Sequence, residues 1–374
     1  MTLSENQEKK SAEHYRLNRI KAKHARYNLI YGQRSNGKTY SVLEEILKNY
    51  CDTGKRGAYV RRWEEDFKKQ RSNKIWDGIR RDDLVKKYSN GEFTDIFVRG
   101  YLAYLGYYDE NTGKPVIQDN PFCYYFALTN WEHDKGSDVT SITTVCFDEC
   151  ITRTGYLPDE FVIFMNVLST IIRDRDDVII YMLGNTVNKF CPYFREMGLS
   201  HILEMNRGDI DVYQYGNGVL KVAVEYAENY EGNAKSAIYF AFDNPKLNMI
   251  TGGEWELDLY PHCPVKYVPK DIMFIYFIRF EENLLQCEII KKDNNMFTFI
   301  HRKTTELQNP DTDIVFQPEY DYRWNYYRNI MRITGKLSFI TEFFKMEKVF
   351  YQDNEVGNIV DNYLMLCKRI FKTR

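Results

Sequence analysis

The stretch that decides the fold is Tyr27–Tyr40, which reads YNLIYGQRSNGKTY. A short apolar run, Leu29–Tyr31, leads into Gly32–Thr39, which fills every fixed position of the phosphate-binding loop: glycine, four residues, then Gly-Lys-Ser/Thr. Apolar side chains at helical spacing follow in residues 41–50. Because the loop amides and the helix N-terminus together attract an anion, this order of strand, turn and helix predicts a nucleotide-binding α/β domain.

The loop also predicts individual roles. Two glycines, Gly32 and Gly37, permit backbone angles and close approach that a side chain would block. We expect Lys38 to reach the β- and γ-phosphates of ATP and the Thr39 hydroxyl to ligate Mg²⁺. The predicted nucleotide-binding residues are Gly32, Arg34, Ser35, Asn36, Gly37, Lys38, Thr39 and Tyr40.

Composition narrows the class of protein. The chain has 374 residues and a formal net charge of −2, which excludes a uniformly basic nucleic-acid binder but not a local basic surface. None of its eight cysteines forms a CxxC pair or lies near a histidine at zinc-finger spacing, so a zinc site is not expected. Scattered cysteines suit a reducing compartment. With neither a signal peptide nor a membrane-length apolar run, the protein is expected to be cytoplasmic and soluble.

A second nucleotide-site motif follows the phosphate loop. The β-branched, apolar run Ile142–Phe147 ends in Asp148-Glu149. An aspartate at the carboxyl end of a strand can hold Mg²⁺ together with Thr39, and the adjacent glutamate can polarise an attacking water as general base. The glutamate favours an NTP hydrolase over most small-molecule kinases.

A third buried strand, Val178–Leu183, is followed by Asn185, for which we predict the role of γ-phosphate sensor. Arg173 and Arg175 precede this strand, at the opposite edge of the sheet from the nucleotide of their own subunit. They could reach the nucleotide of a neighbouring subunit as an arginine finger. The alternative is ordinary ion pairing with Asp174, Asp176 and Asp177.

Two further arginines, Arg61 and Arg62, end the short buried strand of residues 57–60. Ligands of open α/β sheets bind at the carboxyl ends of strands. These arginines therefore either contact a phosphate group or a neighbouring subunit's nucleotide, or lie in solvent at the end of the strand.

In the order and the residues of these segments, the chain resembles the genome-packaging ATPases of small short-tailed phages of the Salasmaviridae type. The resemblance is carried by six segments: GQRSNGKTY, AYVRRW at 58–63, WEHDKGSD, TTVCFDE, TIIRDRDDV at 170–178 and LGNTVNKFCPYF at 183–194. It covers the N-terminal 200 residues well and the remainder loosely.

That resemblance implies an additional-strand (ASCE) P-loop ATPase, dependent on ATP and Mg²⁺, in a pentameric ring at the portal. Such a ring drives double-stranded DNA into a preformed capsid, and some relatives also use a packaging RNA. Carried over to this sequence, Asp148 is the metal-site acid, Glu149 the catalytic acid and Arg173 the finger given in trans. Asn185 becomes the sensor, and Lys135 lies on a loop that faces the DNA channel.

The domain organisation predicted from the sequence has four parts. Residues 1–26 are a polar, basic-leaning arm, most simply a solvated helix, and 27–200 are the ATPase domain. Helical spacing appears at 219–240, so residues 201–240 are interpreted as a helical linker. Residues 241–374 are interpreted as a smaller α+β domain that binds nucleic acid or the portal. A three-stranded meander over 273–301, a helix-like stretch at 320–332 and a helix at 358–371 resemble the RNase H-type domain of terminases.

Nuclease activity is not expected of this domain, because two-metal nucleases need several converging carboxylates and the first strand, 273–280, carries none. The basic residues of this domain have two interpretations. They form either a basic face for DNA or packaging RNA, or solvated charges that nearby acidic residues balance. These residues are Lys291, Lys292, Arg302, Lys303, Arg323, Arg328 and Arg332. The aromatic residues expected to lie in the core are Tyr320, Tyr322, Trp324, Tyr326 and Tyr327.

The sequence thus predicts an α/β P-loop ASCE ATPase domain followed by an RNase H-like, vestigial nuclease domain, acting as an ATP-driven double-stranded DNA translocase. Two alternatives stay open. One is a terminase with a working nuclease. The other is a P-loop protein whose nucleotide is structural or signalling and whose C-terminal domain binds RNA or protein.

Overall fold

The computed structural model describes residues 14–369 except 69, 131–138, 140, 153–155, 158, 186–190, 203, 229–259 and 264. The chain divides into two units, Met1–Glu256 and Leu257–Arg374, each described here by itself. The expected boundary near residue 241 and the predicted DNA-facing Lys135 lie outside the described residues. In the part of the chain that is described, no helix is long and apolar enough to cross a membrane.

One mixed sheet organises the first unit. Its strands are β1 (Tyr27–Gly32), β2 (Arg56–Arg61), β3 (Asp95–Arg99), β4 (Leu102–Tyr108), β5 (Pro115–Ile117), β6 (Cys123–Ala127), β7 (Ile142–Asp148), β8 (Ile179–Asn185), β9 (Ile210–Tyr215) and β10 (Leu220–Tyr226). Their order is β3-β4-β6-β2-β7-β8-β1-β10-β9, with β5 paired to β4. The strands from β6 to β10 in that order are parallel, and the edges are antiparallel.

The helices of this unit are α1 (Asn18–Lys21), α2 (Lys38–Thr53), α3 (Arg71–Lys74), α4 (Asp77–Arg81), α5 (Leu84–Tyr88), α6 (Glu160–Ile172) and α7 (Pro192–Glu196), with a 3₁₀ turn at Glu64–Phe67. Helix α2 begins after Gly37 (φ 92°) and ends at Gly54 (φ 73°), both left-handed positions that suit glycine. Its apolar face, including Val42 and Ile46, is buried.

The strand order brings the three nucleotide motifs together. Strand β8 lies between β1 and β7 and is parallel to both, as an additional-strand ATPase requires. In register, Gly32 lies opposite Asn185, and Asp148 lies opposite Leu183. Because parallel strands end at the same edge of a sheet, the phosphate loop, the acidic pair and the predicted sensor meet at one edge.

The helical linker predicted over 201–240 is wrong for residues 210–226, which form the antiparallel pair β9–β10 at the edge of the sheet beside β1. Residues 222–226 are all buried, because β10 lies within the sheet between β1 and β9. A short, continuously buried run of this kind cannot be told from a helix by periodicity. The first unit therefore extends beyond residue 200, where the sequence predicts that the domain ends.

One side of the described part of the N-terminal arm packs on the core, although most of its side chains are exposed. Tyr15, Leu17 and Ile20 are buried in the cluster that also contains the apolar face of α2. The Tyr15 amide donates to the Asn36 carbonyl at 2.8 Å, and its hydroxyl donates to Glu225 Oε2 at 2.6 Å. The segment therefore ties the phosphate loop to β10.

The second unit contains a six-stranded sheet, formed by β11 (Ile272–Phe280), β12 (Asn283–Lys292), β13 (Asn295–Arg302), β14 (Val315–Phe316), β15 (Tyr326–Tyr327) and β16 (Val349–Tyr351). The predicted meander β11–β12–β13 is confirmed, and the full order is β15-β14-β11-β12-β13-β16. Two helices, α8 (Phe339–Lys345) and α9 (Asn354–Arg369), follow, with 3₁₀ turns at Pro269–Asp271, Ile330–Arg332 and Gly335–Leu337.

Two predictions for residues 320–332 are wrong. The stretch forms an irregular loop, the short strand β15 and a 3₁₀ turn rather than a helix. Tyr320, Tyr322 and Trp324 are 79%, 87% and 69% exposed, so they do not lie in the core.

The packing of the N-terminal segment can be tested by substitution. Tyr15→Ala is expected to lower the free energy of unfolding by about 3–5 kcal/mol, because it deletes a buried ring. Tyr108→Ala, at a 55% exposed position, is the matched control and should change it by less than about 0.5 kcal/mol. Chemical denaturation of the full chain measures both, and equal effects would show that the segment does not pack on the core.

Candidate nucleotide site

The phosphate loop is shaped by two residues in the left-handed region, Ser35 (φ 58°) and Gly37 (φ 92°). A side chain at Gly37 would be strained, and its Cβ would lie 3.0 Å from the Cβ of His14. Successive turns of this kind direct backbone amides into one concavity, which favours an anion. The loop, Asp148, Glu149 and Asn185 line one cavity of about 310 Å³.

Lys38 is buried within this loop. Its ammonium donates to the Gln33 carbonyl at 2.6 Å, to Asn36 Oδ1 at 3.1 Å and to Asn185 Oδ1 at 3.4 Å. Burial lowers the pKa of Lys38 to about 8, against the opposing effect of Asp148. Lys38 is thus a positive charge whose hydrogen-bond acceptors are all neutral. An anionic ligand would stabilise this charge.

Thr39 and Asp148 meet as predicted for a metal site. The Thr39 hydroxyl donates to Asp148 Oδ1 at 3.1 Å. The other carboxylate oxygen, Oδ2, accepts from the Tyr59 hydroxyl at 2.6 Å and from Arg61 Nη1 at 3.2 Å. Tyr59 on β2 was not singled out from the sequence, and the Asp148 carboxylate is therefore oriented by three side chains.

Arg61 pairs with the acidic residues around the site. Its guanidinium pairs with Asp66 at 3.1 Å, Asp148 at 3.2 Å and Glu149 Oε2 at 2.9 Å. Burial alone would lower the pKa of Arg61, but Tyr59 and these carboxylates raise it. Arg61 therefore balances the charge of the acidic pair and is not a solvated strand end.

Arg62 is buried and holds the turn that carries Glu149. Glu149 has a left-handed backbone (φ 58°), unusual for a non-glycine residue. The Arg62 guanidinium donates to the carbonyls of Glu149 and Cys150 at 3.1 and 3.0 Å. It also forms a two-pronged pair with Glu160 of α6 at 2.7 and 2.8 Å.

Glu160 completes this connection. It is 1% exposed and also accepts from the Tyr193 hydroxyl at 2.8 Å and from the Leu157 amide at 2.7 Å. Because α6 begins at Glu160 and ends at Ile172, the pair joins the turn at Glu149 to the helix that precedes Arg173.

The two candidate finger arginines differ. Arg175 donates to the carbonyls of Ile142 and Ile171 and pairs with Asp177 at 3.4 Å, as the ion-pairing alternative expected. Arg173 is exposed, with a left-handed backbone (φ 46°) directly after α6, and it does not line the nucleotide cavity of its own subunit.

The cavity includes residues that no motif indicated. His14 and Arg81 line it together with Tyr40, whose hydroxyl donates to Asp82 at 2.7 Å. The His14 and Tyr40 rings lie 6.0 Å apart. These residues come from separate segments, so only the fold brings them together.

The residues present fit a nucleotide and its metal. Asn36 is 2% exposed, and its Nδ2 has no hydrogen-bond partner, which leaves a buried donor in the phosphate loop. Lys38 supplies positive charge beside it, and Thr39 and Asp148 supply two oxygens that suit Mg²⁺.

Comparison with known proteins gives a family and a fold. The model of the family described as Podovirus DNA encapsidation protein (Gp16) matches residues 9–214. The DNA packaging protein of Bacillus phage B103 is 27% identical over 175 residues, covering 46% of this chain and 48% of that protein. That of Bacillus phage phi29 is 26% identical over 170 residues, covering 45% of each. The chain thus aligns over about half the length of these relatives.

Solved structures resemble the whole chain. The Phi-28 gp11 DNA packaging motor is similar with a TM-score of 0.53 and 19% identity, over 96% of this chain and 98% of that one. The bacteriophage Phi-29 viral genome packaging motor assembly is similar with a TM-score of 0.53 and 16% identity, over 95% and 99%. Because both sequence identities are below 20%, this similarity shows the fold alone.

The buried Arg62–Glu160 pair gives a prediction. Arg62→Ala should lower the free energy of unfolding by about 3–5 kcal/mol, because it leaves a buried carboxylate unpaired. The control is Lys55→Ala, which breaks the exposed pair with Asp177 and should cost no more than about 1 kcal/mol. Chemical denaturation measures both, and similar values would contradict a buried pair.

Proposed function

The chain belongs to the Podovirus DNA encapsidation protein (Gp16) family, and we propose that it is an ATP-hydrolysing double-stranded DNA translocase that packages a viral genome into a preformed procapsid. The observation that carries this proposal is the convergence of Lys38, Thr39, Asp148 and Asn185 at one edge of the sheet. The curated relatives are DNA packaging proteins.

In this proposal the loop amides and Lys38 bind the β- and γ-phosphates of ATP. Thr39 and Asp148 hold Mg²⁺, which supplies charge stabilisation on the phosphate oxygens when bound. Asn185, whose Oδ1 already lies 3.4 Å from the Lys38 ammonium, is placed to contact the γ-phosphate.

Glu149 is the proposed general base, which orients and polarises the attacking water. Its side chain is 57% exposed and pairs with Arg61. Arg62 holds its backbone. The base is thus positioned through its carboxylate by Arg61, which ends β2, and through its main chain by Arg62, which follows it.

A neighbouring subunit completes the site. We propose that Arg173 acts in trans as the arginine finger of a homo-oligomeric ring, with five subunits as in the resemblance. Its exposure and its absence from the cavity lining of its own subunit support this role. A finger stabilises transition-state charge and contributes orders of magnitude in rate.

The second unit is proposed to be RNase H-like and inactive as a nuclease. Its antiparallel meander, followed by two further strands parallel to β11, supports the fold. Among the described residues no group of three or more His, Cys, Asp or Glu could hold a metal. The buried carboxylate of Glu288 on β12 already accepts hydrogen bonds from Tyr267 and Gln286, each at 2.6 Å, and lies 3.4 Å from His301 Nε2.

DNA binding is proposed to rest on phosphate contacts that do not read sequence. Several members of the suggested basic face are paired, Arg302 with Glu355, Lys292 with Asp271 and Arg323 with Asp321, which weakens that face as a DNA site. Lys135, outside the described residues, remains the proposed channel contact.

The proposed setting is the host cytoplasm, where the ring is docked on the portal or connector of the procapsid, with a packaging RNA as a further proposed partner.

The first alternative function is that of a terminase with a working nuclease, and cleavage of plasmid DNA in Mg²⁺ or Mn²⁺ would favour it. The second is a P-loop protein with a structural nucleotide and an RNA- or protein-binding module, for which ATP turnover would be indifferent to DNA.

Subunit mixing tests the shared site. Glu149→Gln and Arg173→Ala are each expected to abolish steady-state ATP hydrolysis, because one removes the base and the other the finger. An equal mixture should regain activity, since some interfaces then combine an intact Glu149 with an intact Arg173. Hydrolysis is measured with and without duplex DNA.

The matched control is Arg99→Ala, at an exposed arginine of β3 that does not line the cavity. It should retain wild-type turnover. If Arg173→Ala hydrolyses ATP as wild type does, the finger assignment is wrong and a P-loop protein that does not form a ring becomes the better account.

A further inference from the structure

The first unit has a second cavity, hereafter the amino-end cavity, at the edge of the sheet opposite the nucleotide site. Its volume is about 770 Å³, and β1, β8 and β10 line it close to the residues at which they begin. Helix α1, the turn after it and the turn between β9 and β10 supply the rest of the described lining. The two cavities share no described lining residue. Because β1 has six residues, about 20 Å of strand separates the two edges.

Strand pairing brings the polar lining residues together. Asn28 of β1 lies opposite Tyr181 of β8 in the parallel register, so their side chains share one face of the sheet. On the other side of β1, the Arg26 amide donates to the Lys221 carbonyl of β10 at 3.1 Å, which makes these two residues neighbours. An amide, a phenol and two cations thus line one cavity.

Two polar groups of this lining are buried without a partner. Asn28 is 2% exposed, and its Nδ2 donates to the carbonyls of Ala25 and Ile180 at 3.1 and 3.5 Å, but its Oδ1 has no hydrogen-bond partner. Tyr181 is 1% exposed, and in the described part of the chain its hydroxyl forms no hydrogen bond. Buried polar groups without partners cost free energy. One ligand hydroxyl group satisfies both, because it donates to Asn28 and accepts from Tyr181.

The charge of the lining is positive. Of the lining residues that the structure describes, three are basic, Lys21, Arg26 and Lys221, and none is an aspartate or glutamate. Lys21 pairs with Glu45 of α2 at 2.5 Å. Arg26 and Lys221 form no ion pair with any described residue. A guanidinium fork beside an ammonium suits the oxygens of a phosphate group.

The size and depth of the cavity favour a small molecule over a nucleic-acid strand. Its volume lies within the range of small-molecule sites, about 300–1,000 Å³. Its two polar groups without partners are almost completely buried, whereas a strand is held along an exposed, positively charged groove. The backbone of DNA also carries no hydroxyl group that could donate to Asn28.

We propose that the amino-end cavity binds a small phosphate ester that carries a free hydroxyl group, a sugar phosphate or a nucleoside monophosphate. Arg26 and Lys221 bind the phosphate, and Asn28 and Tyr181 bind the hydroxyl group. This site goes beyond the proposed function, because it needs neither ATP hydrolysis nor a second subunit.

Isothermal titration calorimetry of the full chain tests the site, with ribose 5-phosphate and AMP as probes. The chain carries Lys38→Ala, which weakens phosphate binding in the nucleotide cavity. Both probes should bind. Sulfate, which has no hydroxyl donor, and ribose, which has no charge, should each bind about tenfold more weakly or less. Equal affinity of the two probes identifies the sugar phosphate as sufficient, and tighter binding of AMP identifies a nucleotide.

Substitutions in the cavity separate its two halves. The double variant Arg26→Ala/Lys221→Ala should raise the dissociation constant for ribose 5-phosphate about tenfold or more. Tyr181→Phe deletes only the hydroxyl and should raise that constant about fivefold, while leaving sulfate binding unchanged. The matched controls, Arg99→Ala and Tyr108→Phe, lie at exposed positions outside the cavity and should change neither constant.

Failure of both probes to bind at millimolar concentration would show that the cavity holds only water and would overturn the proposal. Unchanged affinity in both Tyr181→Phe and the double variant would place any binding elsewhere and also overturn it. Binding of a short RNA without binding of either probe would exclude a small molecule as the occupant. If both probes bind as expected but the wild type never hydrolyses ATP, the proposed function fails and the amino-end site stands.

Discussion

The hydrogen bond between Thr39 and Asp148, 3.1 Å long, joins the two halves of the nucleotide site and depends on the whole first sheet. It forms only because β1 and β7 run parallel and end at the same edge, with β8 between them. The same arrangement brings Asn185 beside Lys38. An ordinary property of parallel sheets thus places a phosphate loop, an acidic pair and an amide around one cavity.

Two consecutive arginines carry this geometry beyond the cavity. Arg61 balances the charge of Asp148 and Glu149, and Arg62 donates to the carbonyls of Glu149 and Cys150 while pairing with buried Glu160. Arg61 ends β2 and faces the carboxylates of the acidic pair, whereas the next residue, Arg62, is 4% exposed and pairs with Glu160. Through Glu160, the turn is connected to α6 and to the position of Arg173 in a proposed neighbour contact.

The sequence predicts the parts of the fold that depend on local pattern. The phosphate loop, the acidic strand end and the meander of the second unit each occupy a short stretch with its own spacing, and all three were found in place. Prediction from the sequence is wrong where contacts between distant segments decide the structure. Residues 210–226 join the sheet because β10 pairs with β1. Tyr15 is buried because α2 and β10 surround it. The roles of Arg62, Tyr59 and His14 depend on contacts between distant segments, which no motif encodes.

We propose that ATP turnover in this cavity is coupled to double-stranded DNA. The steady-state rate of ATP hydrolysis by the full chain, with Mg²⁺, as the concentration of duplex DNA is raised, tests this coupling. We expect DNA to increase the rate and Lys38→Ala to abolish hydrolysis at every DNA concentration. Turnover that is indifferent to DNA, or that persists without Lys38, would contradict it.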